Sequence, residues 1–75
     1  MLTEEQVKEL EDQLNYYSFH KAYSEKIGDL EEAKINLAKM WALRAVFDTL
    51  GYKAPWKKTD EKDGIEYDFY KVVKS

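Results

Sequence analysis

Few side chains in this chain are of a type that does chemistry, and their spacing does not gather them. His20 is the single histidine. Acid-base or metal chemistry there needs partners at hydrogen-bonding or coordinating reach. Tyr16 and Ser24 lie one helical turn to either side and Glu25 stands near, yet none supplies a second strong ligand at metal spacing. The expectation is a polar residue at the rim of an aromatic face. Asp48 sits near the end of an apolar stretch, where its charge is poorly placed for a helix dipole, and Arg44 lies among Leu43, Ala45 and Val46. Asp48 is expected to pair with a lysine or reach the surface, and Arg44 to bridge to a carboxylate or lie along an interface, with the structural pair preferred. Asp60, Glu61 and Asp63 precede Gly64 without the alternating oxygen ligands and distal Glu of a calcium loop. No nucleophile, base and orienting residue can be assembled, so the expectation is a protein without catalytic residues, metal, cofactor or small-molecule substrate.

Two binding patterns remain. Lys53, Trp56, Lys57 and Lys58 combine ammonium groups with an indole, which suits phosphate contact and base stacking. The same residues also suit a hairpin anchor and an edge strand protected by lysines. The second pattern is aromatic. Tyr16, Phe19 and Tyr23 recur on one helical face, with Tyr70 added from a later strand, and tyrosine pairs a large contact area with a polar tip. That stripe is either core or an interface with a protein partner, for which a two-fold homodimer is the simplest geometry.

The elements that position these residues follow from periodicity. Thr3 before Glu4, Glu5 and Gln6 forms a capping box that starts a helix over about residues 3–26. Val7, Leu10, Leu14 and Tyr17 make one stripe, but Tyr16, Phe19, Tyr23 and Ile27 lie roughly opposite it. Such a switch requires either a bend near Tyr16 to Ser18 or a straight helix covered on two faces in its second half. The second cover would come from the C-terminal segment or another subunit. Gly28 and Asp29 end this helix and open the next, over about residues 30–50, as a helical hairpin. Leu30, Ala33, Leu37, Met40 and Phe47 should face the first helix, and Ile35 to Leu50 is apolar on so many sides that the second helix is expected in the middle of the domain.

After Gly51 the period changes to two. Tyr52, Ala54 and Trp56 alternate with Lys53, Pro55 and Lys57, and Ile65, Tyr67, Phe69 and Val73 alternate with Glu66, Asp68, Tyr70 and Lys74. These imply a β-hairpin over about residues 52–73, with Pro55 at an edge, a charged loop from Lys57 to Gly64, and the Ile65 face laid on the second helix. A third helix over 60–73 is the competing, all-α reading.

Composition sets the frame. Seventy-five residues make one domain, 1–75, near the lower size limit for a single apolar core, and no cysteine is present to reinforce it. Two Trp, six Tyr and three Phe must therefore serve the core or a contact surface. The net charge of -3 argues against broad nucleic-acid binding. The absence of cysteine, of a basic and apolar leader and of a long uncharged apolar run suggests a cytoplasmic protein without membrane contact. The short helical pair, Leu50-Gly51-Tyr52 and the lysine-rich hairpin are similar in style to small accessory proteins of bacterial or phage type, a likeness that rests on no motif. The resulting expectation is an α+β domain of order ααββ that binds itself or another protein, with nucleic-acid binding through the Lys53 to Lys58 edge as the alternative.

Overall fold

Capping and turn chemistry place every element boundary. The computed structural model describes the backbone of residues 2–75 and their side chains, apart from those of Pro55 and Trp56. The first helix, α1, spans Glu4–Lys26 and opens with the full capping box: Gln6 N–H donates to Thr3 Oγ1 at 3.1 Å, and Thr3 N–H donates to Gln6 Oε1 at 2.9 Å. It closes at Gly28, whose φ of 81° is the left-handed conformation that glycine adopts without strain. The second helix, α2, spans Leu30–Thr49, and its N-cap Asp29 accepts a hydrogen bond from Glu32 N–H at 3.2 Å.

The hairpin follows in strands β1, Tyr52–Lys62, and β2, Ile65–Lys74, which form a two-stranded antiparallel sheet. Asp63 and Gly64 make its turn at φ of 53° and 76°, the pair of positive values that matches the twist of a two-residue hairpin. The domain is therefore small, compact and α+β, with the order ααββ expected from periodicity. The competing third helix over 60–73 is not formed. Of the charged loop expected from Lys57 to Gly64 only Asp63 and Gly64 are turn; Lys57 to Lys62 is strand, paired in register from Lys57↔Tyr70 to Lys62↔Ile65. Its alternation was hidden because this arm of the hairpin is solvated and carries charges on both faces. Register is irregular between Lys53 and Trp56, where Pro55 cannot donate to a ladder.

The order of layers differs from expectation. It is α1, not α2, that lies in the middle, packed on α2 along one side and on β2 along another. The helix runs unbroken from Glu4–Lys26, and the C-terminal segment covers a second side of it, but not the second stripe: Phe19 is half-buried, while Tyr16, Tyr23 and Ile27 stay exposed. The core joins Leu14 of α1 to Met40 and Phe47 of α2, Tyr52 of β1, and Tyr70 and Val72 of β2, with Val7, Leu10, Tyr17 and Leu43 around it. Leu14 is wholly buried.

The second cover of α1 is polar. Glu11, Asn15 and Ser18, all buried, face the free edge of β2. Glu11 Oε2 accepts from Val72 N–H at 2.8 Å, Asn15 Oδ1 accepts from Tyr70 N–H at 2.7 Å while its Nδ2 donates to Tyr70 O at 3.0 Å, and Ser18 Oγ donates to Asp68 O. Farther along, Lys26 Nζ donates to Gly64 O at 3.1 Å. Three side chains at i, i+4 and i+7 thus meet three alternate residues of an antiparallel strand. From Glu11 to Asn15 the steps match, because four helical residues rise about 6 Å and two strand residues about 6.8 Å, and from Asn15 to Ser18 the helix rises about 4.5 Å. The helix takes the place of a third strand, satisfying backbone groups that would otherwise form an open edge.

The hairpin presents the opposite face to that expected. Tyr70 and Val72, rather than Tyr67, Phe69 and Val73, enter the core beside α2, because α1 fixes the edge of β2 and α2 then meets the face carrying the even-numbered residues. Ile65 is buried near the turn, whereas Tyr67 and Phe69 are only half-buried.

Candidate interaction surface

Placing α1 at the centre exposes the most apolar helix of the chain. Ala33, Asn36, Met40 and Phe47 form the buried stripe of α2, recurring at three and four residues. Much of the remaining surface of the helix is apolar too, broken by Lys34, Lys39 and Asp48, and among the described residues it lies open: Trp41 is 60% exposed, Leu30 63%, and Ile35 and Val46 48% each. Ala38, Ala42 and Ala45 lie exposed between them. Soluble surfaces normally scatter such residues singly, and a contiguous apolar helix face marks a binding site. Periodicity alone missed this surface. The signal was the apolar content around the whole of α2, which was taken to mean burial on all sides.

Trp41 is held by its neighbours. The Arg44 guanidinium lies 5.2 Å from the Trp41 ring centroid and 5.5 Å from that of Tyr70, bridging the outer indole and the inner phenol. Arg44 therefore acts through cation–π contacts and not through the carboxylate pair expected for it. Asp48 is exposed and likewise has no ion-pair partner among the described residues.

The expected aromatic stripe is divided. Tyr16 and Tyr23 of α1 are exposed, at 59% and 44%. Tyr16 rests on His20 with ring centroids 4.2 Å apart, and edge-on to Tyr17 at 5.7 Å. Phe19 is half-buried, edge-on to Tyr67 of β2 at 5.4 Å, with Lys62 Nζ 5.5 Å from its ring. Tyr70 does not join them. It is buried in the core because its side chain stands on the face of β2 turned to α2, so the interface role expected for it does not fit its position. His20 lies at the rim of this aromatic patch, beside a shallow depression of about 280 Å³ that Asp12, Tyr16, Phe19 and Lys62 help to line. Burial raises the Tyr67 phenol above its ordinary pKa, and the charge of Asp60 adds to the shift.

The basic cluster is divided too. Lys57 and Lys58 are consecutive strand residues and point to opposite faces of the sheet. Lys57 pairs with Asp68 across the strands at 3.4 Å, and Lys58 Nζ lies 5.5 Å from the Phe69 ring. Lys53 is exposed beyond the register break, and the side chain of Trp56 lies outside the described residues. Among the described residues no three His, Asp or Glu side chains converge as metal ligands, and no helix is long and apolar enough to cross a membrane. Compared with known protein families, characterised proteins and solved structures, the chain matches none.

Proposed function

We propose that this domain is a non-catalytic interaction module that associates with itself, in the manner of a small accessory protein. The observation that carries the reading is the uncovered apolar face of α2 centred on Trp41, which is 60% exposed. A lone domain of this size needs its large apolar side chains for its own core. Leaving an indole and several aliphatic side chains in water on one helix is accounted for when a second surface covers them. Tryptophan and arginine side by side, as Trp41 and Arg44 are, belong to the composition of interface centres, where few residues supply most of the binding energy. Tyr16 and Tyr23 give a smaller, more polar second surface on α1 for a further protein partner. The nucleic-acid alternative is less well served, because Lys57 and Lys58 face opposite ways and Lys57 is already paired.

The test is molar mass in solution by light scattering after size exclusion, over a hundredfold range of concentration. The expected result is reversible formation of a dimer, lost in Trp41→Glu with the helical circular dichroism unchanged. A monomer throughout, up to millimolar concentration, overturns the reading.

A further inference from the structure

We propose that the outward face of α2 pairs with the same face of a second copy of this chain, the two helices antiparallel about a two-fold axis passing by Trp41. This specifies, and rests on, the self-association argued above. Lys34, Trp41 and Asp48 are spaced seven residues apart. Seven residues are two helical turns to within about 20°, so the three share one face of α2. In an antiparallel pair centred on Trp41, any residue a given number of positions before it lies beside the residue the same number after it in the second copy. Lys34 therefore meets Asp48 of the second copy, and by symmetry the contact forms twice. Leu37, four positions before Trp41, meets Ala45, four positions after, so a large side chain faces a small one.

The polarity of these charges supports the same arrangement. Lys34 lies near the N-terminus of α2 and Asp48 in its last turn, so each opposes the dipole of its own helix. Both are exposed, and neither has an ion-pair partner among the described residues. In the antiparallel pair Lys34 lies beside the C-terminal end of the second helix and Asp48 beside its N-terminal end. Two unfavourable placements become favourable together. A parallel pair would instead set Lys34 against Lys34 and Asp48 against Asp48. Ala38 and Ala45 flank Trp41 and let the backbones approach.

The experiment is sedimentation equilibrium on wild type, Lys34→Asp, Asp48→Lys, the double reversal, and an equimolar mixture of the two single variants. Each single variant creates two like-charge contacts and raises the dimer dissociation constant about tenfold. The double reversal and the mixture both regain the wild-type value to within about threefold, since each restores two opposite-charge contacts. Both single changes improve the match to the α2 dipole, so monomer stability holds or rises while association falls, which separates pairing from folding. Single variants that dimerise as well as wild type, while Trp41→Glu does not, would overturn the antiparallel pairing and leave self-association standing. A wild type that stays monomeric overturns both.

Discussion

Asn15 offers the sharpest test of the idea that α1 substitutes for a third strand. Its amide is buried, accepting from Tyr70 N–H at 2.7 Å and donating to Tyr70 O at 3.0 Å. Asn15→Ala removes both partners of one strand residue at once, and the freed groups lie between the buried side chains of Glu11 and Ser18. An unpaired buried donor or acceptor costs about 1–3 kcal/mol, so two cost roughly 2–4 kcal/mol when a water relieves part of the loss. A chain of this length has a total stability of about 4–11 kcal/mol, so the substitution removes a large share of it. The expected fall in melting temperature is roughly 8–32 °C, at 4–8 °C per kcal/mol for a domain of this size. Urea denaturation followed by circular dichroism gives the free energy directly. Asn15→Asp supplies an internal control: ionised, it keeps the acceptor and loses the donor, whereas protonated it can do both. Burial and the bond to Tyr70 O, which only the protonated form can donate, outweigh the bond from Tyr70 N–H and hold its folded pKa above the unfolded value of about 3.9. Its stability relative to wild type is thus fullest below that unfolded value and is lost as pH rises through the folded one. A loss under about 0.5 kcal/mol in Asn15→Ala, or no pH dependence in the difference between Asn15→Asp and wild type, would refute the edge-capping role.

Phe47→Ala should cost about 3–5 kcal/mol, a large share of the stability of a domain of this size, whereas Trp41→Ala should change the stability of the monomer by less than about 0.5 kcal/mol. Thermal melts at low micromolar concentration separate the two, and equal losses would mean that Trp41 is not the exposed residue described. Gly64→Ala should destabilise by about 1 kcal/mol through its positive φ alone, since a Cβ there meets no neighbour, and chemical denaturation reads it. Tyr67 has a raised pKa in the fold, so its contribution is fully present below the unfolded value of about 10 and is lost as pH rises through the folded one. Denaturation between pH 9 and 11 should therefore show a shallower decline in Tyr67→Phe than in wild type.

Local interactions explain what could be read in advance. The capping box at Thr3, the stop at Gly28, the Asp63-Gly64 turn and the change of period after Gly51 each depend on residues a few positions apart, and the order ααββ followed from them. The stripe switch on α1 was also visible, but the side that the hairpin covers carries Glu11, Asn15 and Ser18 and not the second stripe. What covers what was not visible. Glu11, Asn15 and Ser18 carry no signal of their role, because a side chain that bonds a buried backbone edge has the same composition as one that bonds water.

That ambiguity explains the inverted layers. An apolar helix minimises its exposed surface equally well at the centre of one domain or at the junction of two chains, and hydropathy is the same in both cases. Once the polar row of α1 binds the β2 edge, the available apolar cover is used on Leu14, Met40 and Phe47, and the Trp41 side of α2 is left outward. The same geometry buries Tyr70 and separates Lys57 from Lys58. The sequence by itself determined the elements and their order, because backbone conformation is chosen by neighbouring residues. Only the tertiary structure decided which apolar face became core and which became surface, because that depends on hydrogen bonds spanning more than fifty residues of chain.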